Sequence, residues 1–287
     1  MLQKLNFKPG FNKMVTDSGG ESQWVDGDFV RFRYGLPEKI GGWNQLSVAG
    51  ETLPGAARAQ HTWTSLAGER YAAIGTSQGL FLYYGEQFFD ISPLDTAITG
   101  CTISTTTSST TVTIHKGSHG LLAGRYITLS SVTVTGASDF TSSELEQSYE
   151  ILTAATDSFT IQASRAEGGS GMSAAGAATV NPYVIVGPTF QTLGYGWGTD
   201  TWNTSTWGTE RSTSSVVLDP GNWSLDNFGE VLIATIRDGE TFTWNAGASN
   251  ARTIRASKTT TNFQTTNNPT ASRLTQISDR DRHLFHF

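Results

Sequence analysis

The sequence has little of several things that define common protein classes. It contains one cysteine, Cys101, among 287 residues, so an internal disulfide framework cannot form. No apolar run is long enough to span a bilayer as a helix, and Lys4 and Lys8 flank no apolar stretch, so a signal peptide is not expected. Charged residues make up only 15% of the chain, and the net charge is −6. This mild acidity argues against a grip on nucleic acid through phosphate neutralisation.

Residues that could ligate a metal ion are sparse. Of five histidines, only His283 and His286 are close in sequence, and this spacing in a strand would direct the two rings to opposite faces. Asp26 and Asp28 would share one face of a strand and could bind Ca²⁺, but Asp-Gly-Asp lacks the rest of a calcium loop. We therefore expect neither a bound metal ion nor a cofactor.

Catalytic motifs are missing as well. The chain has no Gly-x-Ser-x-Gly elbow, phosphate-binding loop or paired cysteine and histidine nucleophile. Asp90 with Asp95, or Glu144 with Glu146, could be nominated as glycosidase carboxylates. Any chain with 25 acidic residues offers such pairs, so we expect the protein not to be an enzyme.

A strand-turn-strand motif occurs twice, with about half the chain between its copies. The copies span residues 63–84 and 223–244, and each begins with a tryptophan, Trp63 or Trp223. Each contains a Gly-Glu pair and then a tight turn that ends on glycine, which tolerates positive φ. Repeated strand pairs are typical of a β-propeller or β-solenoid, because one unit cannot bury its apolar face alone.

Residues 281–287 can be aligned with 69–75 as a partial third copy, and the sequence then stops inside a strand. Abundant glycine, serine and threonine with recurring aromatic residues also indicate short strands and turns. We predict an all-β fold of propeller-like meanders with a small inserted β-domain, and we interpret the chain as the front part of a longer propeller.

Four parts are expected along the chain. They are an N-terminal arm with the first strands (1–59), a first blade (60–93), an inserted Thr- and Ser-rich β-domain (94–183), and a resumed propeller with a second blade and the start of a third (184–287). β-Propensity predicts strands at 29–34, 71–75, 80–84, 87–91, 126–129, 149–152 and 158–161. The first of these strands would end in a Gly35-Leu36-Pro37 turn. One short helical stretch, 142–151, could also be a loop.

Two groups of side chains are candidates for interfaces. Arg31 and Arg33 are either exposed on an edge strand or paired with acidic residues of a neighbouring subunit, because arginine tolerates desolvated ion pairs better than lysine does. Trp197, Trp202 and Trp207 fall every fifth residue in a Gly- and Thr-rich loop. They either pack this loop onto the blade beneath or stack on sugars or a partner chain.

Several segments together carry a family resemblance: 24–33, 37–43, 70–76, 80–83, 90–93 and 223–244. The first two read Trp-Val-Asp-Gly-Asp-Phe-Val-Arg-Phe-Arg and Pro-Glu-Lys-Ile-Gly-Gly-Trp. These segments resemble the tail nozzle, or tail-stabilisation (tail hub), protein of short-tailed bacteriophages. Residues 119–130 resemble a small β-module that is inserted in phage structural proteins. All of these are packing and turn motifs, so they indicate a structural family and no chemistry.

The resemblance implies a virion protein of the tail, whose β-propeller assembles as a six-fold homo-oligomeric ring. Adjacent tail tube or adaptor proteins and tail fibres would be its partners, and the genome would be retained and later pass through the channel without sequence-specific binding. Two other hypotheses remain open. One is a receptor-binding module that grips a surface glycan with the insert or the tryptophan loop, and the other is a glycan-cleaving propeller.

Overall fold

The structure is a computed structural model, and its regular elements are almost all β-strands, which confirms the all-β prediction. It describes residues 7–42, 52–136, 138–173, 175–187, 220–249, 251–259, 269–278, 280–281 and 283–287. The chain divides into two compact units, 1–49 and 50–287. The three loop tryptophans, Trp197, Trp202 and Trp207, lie outside the described residues.

Within residues 7–42, the N-terminal unit forms two short strand pairs. Strand β1 (Lys8–Phe11) pairs in parallel with β2 (Gln23–Trp24), and a 3-10 turn lies between them at Asp17–Gly19. Strands β3 (Val30–Arg33) and β4 (Leu36–Lys39) form an antiparallel hairpin, which we call the N-terminal hairpin.

The strand expected at 29–34 is thus confirmed as β3, but its turn was predicted wrongly. The chain reverses at Tyr34 and Gly35, while Leu36 and Pro37 already pair with β3. Proline is accepted at a sheet edge, where its missing N–H removes no ladder hydrogen bond. Because this sheet has only two strands, β4 is such an edge.

The larger unit begins with a four-stranded antiparallel meander, the first sheet, in which each strand pairs with the next in sequence. The predicted turn at Gly85 and Glu86 is confirmed, with φ of 57° and 67°, as a two-residue hairpin turn requires. The three strands expected here are confirmed, and one more precedes them. The strands are β5 (Ala57–Thr64), β6 (Arg70–Thr76), β7 (Leu80–Tyr84) and β8 (Gln87–Asp90).

A seven-stranded antiparallel sheet follows, in the order β12-β11-β15-β9-β10-β14-β13. Leu94 and Tyr183 form an antiparallel bridge where the chain enters and leaves it. We call this part the insert (94–183), and its exact bounds stay a prediction. Its strands are β9 (Ile98–Thr105), β10 (Thr111–His115), β11 (Tyr126–Thr133), β12 (Ser148–Glu150), β13 (Thr153–Ala154), β14 (Ser158–Gln162) and β15 (Ala175–Pro182).

The helical stretch proposed at 142–151 is wrong beyond its first turn. The helix α1 (Ser142–Leu145) is held by a capping box in which Thr141 and Glu144 bond each other's backbone N–H. The chain then joins the sheet as β12, where Tyr149 is buried. Burial of this ring in the sheet outweighs a weak local helix preference.

A second four-stranded meander, the second sheet, resumes the pattern of the first. A 3-10 turn at Ala251–Thr253 precedes its last strand, and a separate two-stranded hairpin follows. The strands of the second sheet are β16 (Trp223–Phe228), β17 (Val231–Ile236), β18 (Thr241–Asn245) and β19 (Ser257–Lys258), and those of the hairpin are β20 (Thr275–Ile277) and β21 (Leu284–His286).

The described residues of the larger unit form two separate apolar cores. One lies within the insert and contains Ile103, Ile127 and Phe159. The other is shared by the first and second sheets and includes Leu82 and Phe242. Since neither meander buries its apolar face alone, the two sheets depend on each other for stability.

The two motif tryptophans are both buried, but they do not occupy equivalent places. Trp63 pairs with Tyr71 near the turn that joins β5 and β6, whereas Trp223 pairs with Ile236 at the opposite end of its hairpin. The connection between β5 and β6 is a five-residue loop (65–69), whereas β16 and β17 are joined by the two-residue turn Gly229-Glu230. The two copies of the sequence motif are therefore equivalent in their strands but not in their tryptophans.

Candidate assembly surface

The tip of the N-terminal hairpin has an unusual backbone. Tyr34 and Gly35 form its two-residue turn with φ of 52° and 80°. Such turns favour asparagine or glycine, and a bulky side chain at positive φ is rare. The Tyr34 side chain is nevertheless 92% exposed. Unfavourable backbone conformations of this kind concentrate at functional sites, so Tyr34 is a candidate contact residue.

An aromatic cluster packs against one face of this hairpin. The Phe32 ring lies 5.2 Å from Phe11 and 6.4 Å from Trp24, and Trp24 also contacts Phe7 at 5.2 Å. Strand alternation therefore directs Phe32 toward the cluster and its neighbours Arg31 and Arg33 toward solvent.

The two arginines of the hairpin have contacts within the chain. Arg31 Nε lies 3.1 Å from Glu38 Oε2 across the hairpin, and both side chains are largely exposed. The Arg33 guanidinium lies 5.4 Å from the centre of the Tyr34 ring. Exposed ion pairs contribute only about 0–1 kcal/mol, so a partner could replace the Arg31–Glu38 pair at little cost. Pairing with another subunit stays a prediction.

Apolar side chains are also exposed on this hairpin and beside it. Leu36 on the hairpin is 70% exposed and Phe29, which precedes the hairpin, is 66% exposed, and Ile40 at its other end is exposed as well. Scattered apolar side chains are ordinary on a protein surface, but here they accompany a basic pair and a strained tyrosine on one small hairpin. This combination resembles the aromatic and arginine-rich composition of protein interfaces.

The acidic pair considered for calcium does not form a site. Asp26 and Asp28 lie between β2 and β3 rather than on a strand, so the expectation that they share a strand face is wrong. Asp26 pairs with Lys13 and also accepts from the Gly27 N–H, and both contacts lower its pKa. Among the described residues, no group of three histidine, cysteine or acidic side chains is arranged to hold a metal ion.

The two nominated carboxylates of the insert are engaged in structural contacts. Glu144 accepts from Arg165 Nε at 2.8 Å and from the Thr141 N–H at 2.7 Å, and these contacts lower its pKa to about 2. A glycosidase acid needs a raised pKa. Glu146 accepts from the Val132 N–H at 2.8 Å. This pair therefore shapes the insert and is poorly suited to acid catalysis.

Asp90 belongs to a polar junction that sequence analysis missed. Arg255, just before β19, donates to Asp90 Oδ2 at 2.9 Å and to the Ser92 carbonyl at 3.0 Å. Its guanidinium stacks 4.8 Å from the Tyr183 ring, and the Tyr183 hydroxyl contacts Asp90 and Ser148. Burial and the Asp90 carboxylate raise the pKa of Tyr183. The junction thus joins the first sheet, the second sheet and the insert.

Asp95, the other carboxylate of that nominated pair, accepts from the Thr96 N–H at 2.7 Å. His283 lies just before β21, and the His286 Nδ1 atom lies 3.0 Å from the Ser272 hydroxyl. Burial lowers the pKa of His286. These residues therefore show local structural contacts and no shared site.

Comparisons with known proteins leave the chain without an assigned family. No family model matches the chain, and no curated protein matches it. Among solved structures it is similar to the Phage phi92 endosialidase, with a TM-score of 0.26 and 15% identity, over 85% of this chain and 35% of that one. The chain thus spans about a third of the length of that protein, and a likeness this distant assigns no function.

In the part of the chain that the structure describes, no helix is long and apolar enough to cross a membrane. The fold defines an all-β protein whose four-stranded meanders resemble propeller blades.

Proposed function

We propose that this protein is a structural virion protein of the tail, a subunit of the ring-shaped nozzle of a short-tailed bacteriophage. Six copies would form the ring, retain the packaged genome and release it through the tail channel. The sequence segments that resemble nozzle proteins support this proposal, and several of them form strands of the first and second sheets.

The repeated packing of successive strand units carries the proposal. The second sheet contacts the first through β16 and β5, and the β20–β21 hairpin contacts the second sheet through β20 and β16. Ser224 donates to the Thr275 carbonyl at 3.1 Å, and Asp226 accepts from the Ile277 N–H at 2.8 Å. The first strand of each unit thus packs beside the first strand of the unit before it, which supports the radial repetition of a propeller.

We assign the subunit contacts to the N-terminal hairpin. Arg31, Arg33 and the strained Tyr34 would contact a neighbouring copy, whose overall charge of −6 is complementary to the two arginines. The hairpin itself is held from behind by its aromatic cluster, so it would present these side chains without refolding. Adjacent tail proteins and fibres would be further partners, and DNA would pass without sequence-specific binding.

Native mass spectrometry of the purified chain, with negative-stain imaging, tests ring formation. The proposal predicts a closed homo-oligomer of one size, which the Arg31→Glu and Arg33→Glu variants lose while they keep the wild-type circular dichroism spectrum. A chain that stays monomeric at every concentration, or variants that assemble normally, would contradict the assigned interface.

A receptor-binding tail module is the second candidate. It is favoured by one observation, namely that the insert has an apolar core separate from that of the two sheets. A module of this kind predicts that the isolated segment 94–183 binds a surface glycan. A glycan-cleaving role finds less support, because the nominated carboxylates Asp90, Glu144 and Glu146 are engaged in structural contacts.

A further inference from the structure

An open cleft lies between the first sheet and the segment 246–253 of the second sheet. Its volume is about 380 Å³, near the lower end of the range of about 300–1,000 Å³ that is common for small-ligand sites. The lining combines charged, phenolic and hydroxyl groups with apolar side chains. It is lined by Glu69, Tyr71, Phe89, Ala246, Ala248, Ala251, Arg252 and Thr253.

Two tyrosines hold the Glu69 carboxylate in place. The Tyr84 hydroxyl donates to Glu69 Oε1 at 2.6 Å, and the Tyr71 hydroxyl donates to Glu69 Oε2. These bonds lower the pKa of Glu69, so the group stays ionised. An ionised carboxylate offers about four acceptor positions, so Glu69 can accept further hydrogen bonds from a ligand.

Arg252 supplies a positive charge to the same cleft. The Arg252 guanidinium lies 4.8 Å from the centre of the Tyr84 ring. The Tyr84 ring also stacks on the Tyr71 ring, with 4.9 Å between the two ring centres. Among the described residues, no acceptor takes a hydrogen bond from Arg252, and no ion pair joins it to Glu69. The Glu69 carboxylate and the Arg252 guanidinium are therefore both positioned by tyrosine rings or hydroxyls. Their remaining hydrogen-bonding capacity is open to a ligand in the cleft.

We propose that this cleft binds an acidic sugar, a hydroxylated ring that carries a carboxylate. The ligand carboxylate would accept from Arg252 in the forked geometry that guanidinium favours. Its hydroxyls would donate to Glu69, and the apolar face of its ring would pack on Phe89 and the three alanines. This site does not depend on ring assembly, so it and the nozzle proposal can fail separately.

Ligand-observed NMR titration of the full chain tests the site with glucuronate and with glucose, its neutral counterpart. Glucuronate is expected to bind saturably in the millimolar range, and glucose at least about tenfold more weakly, since charge-assisted hydrogen bonds to arginine carry the difference. Equal binding of the two sugars, or no saturable binding in the millimolar range, would overturn the proposal. So would equally strong competition by the zwitterion alanine, which would indicate an amino-acid site instead.

Three variants test whether the sugar binds in this cleft. Arg252→Gln is expected to weaken glucuronate about tenfold with little effect on glucose, and Glu69→Gln to weaken both sugars. Arg70→Gln is the matched control, because Arg70 is exposed and alternates with the buried Tyr71 on β6. If Arg70→Gln weakens binding as much as Arg252→Gln, the effect is one of general charge and the site assignment is wrong. The spectrum of each variant without ligand verifies that it is folded.

Discussion

Trp223 of the second sheet donates its indole Nε1–H to the carbonyl oxygen of Thr76 in the first sheet at 2.9 Å, while its ring covers Gly75. A Cβ atom on Gly75 would lie 2.5 Å from Trp223 Cδ1, closer than packed atoms come. The absence of a side chain at residue 75 is therefore what lets the two sheets approach.

Gly75→Ala should separate the sheets. We expect the free energy of unfolding to fall by about 1–3 kcal/mol, which is the usual cost of overpacking a closed core. Urea denaturation measures this change. Gly41→Ala is the control, because a Cβ there meets nothing within 4 Å. Equal stability of Gly75→Ala and the wild type would show that the sheets are not packed at this point.

Substitution by phenylalanine should cost less stability at Trp63 than at Trp223. Both are buried, but Trp63 Nε1 has no hydrogen-bond partner among the described residues, whereas Trp223 Nε1 has one. Trp223→Phe leaves the Thr76 carbonyl without this donor and should cost about 1–3 kcal/mol more than Trp63→Phe. Alanine at either position should cost about 3–5 kcal/mol. Thermal unfolding of all four variants measures these differences, and equal costs for the two phenylalanine variants would count against the Trp223 bond.

Arg255 should control the docking of the insert. In Arg255→Ala the partly buried Asp90 carboxylate loses its charged donor, and we expect a loss of about 2–3 kcal/mol together with faster proteolysis near residues 94 and 183. Arg165→Gln also removes an arginine with acidic partners, but these lie within the insert, so cleavage at the two boundaries should not accelerate. Limited proteolysis followed by mass spectrometry distinguishes the variants, and identical cleavage rates would refute the junction's role.

Tyr34→Gly should separate stability from assembly. Glycine adopts positive φ without the cost of about 1–2 kcal/mol that a side chain meets, so the variant's free energy of unfolding should not fall below that of the wild type. Loss of the exposed ring should nevertheless weaken ring assembly, measured by analytical ultracentrifugation. Arg70→Gly, on an exposed position of β6, should leave assembly unchanged. A Tyr34→Gly chain that assembles like the wild type would remove Tyr34 from the interface.

The insert should lose stability in acid through Glu144. Its pKa is about 2 in the folded chain against an ordinary 4.5, because Arg165 and Thr141 bond the ionised form. The carboxylate therefore stabilises the fold above about pH 4.5, and this contribution is lost as the pH falls toward 2. Glu144→Gln should flatten the decline in melting temperature over that range. Some decline should remain, because Arg165 also lowers the pKa of Asp139. An unchanged decline would contradict the assignment.

The strands could be predicted from sequence because their signals are local. Glycine at turns with short apolar runs between them located three of the four strands of the first sheet, and β-propensity located three strands in the insert. The N-terminal turn was predicted wrongly because glycine and proline at 35 and 37 both signal reversal, and only the pairing of Phe32 with Pro37 identifies the turn.

Contacts between distant segments could not be predicted. Arg255 lies 165 residues from Asp90 and 72 from Tyr183, and no local pattern in the sequence indicates that the three meet. The cleft likewise combines Glu69, from the loop before β6, with Arg252, from the 3-10 turn before β19. These sites follow from how the two sheets pack, which depends on tertiary contacts such as Trp223 on Gly75 rather than on local preference.

Cryo-electron microscopy of the particle that carries this chain tests the nozzle proposal most directly. The account predicts a six-fold ring at the end of a short tail, with blade-like meanders in each subunit and the N-terminal hairpin against a neighbouring copy. Density for this chain on peripheral fibres, or its absence from the tail, would contradict the proposal and make receptor binding the leading account.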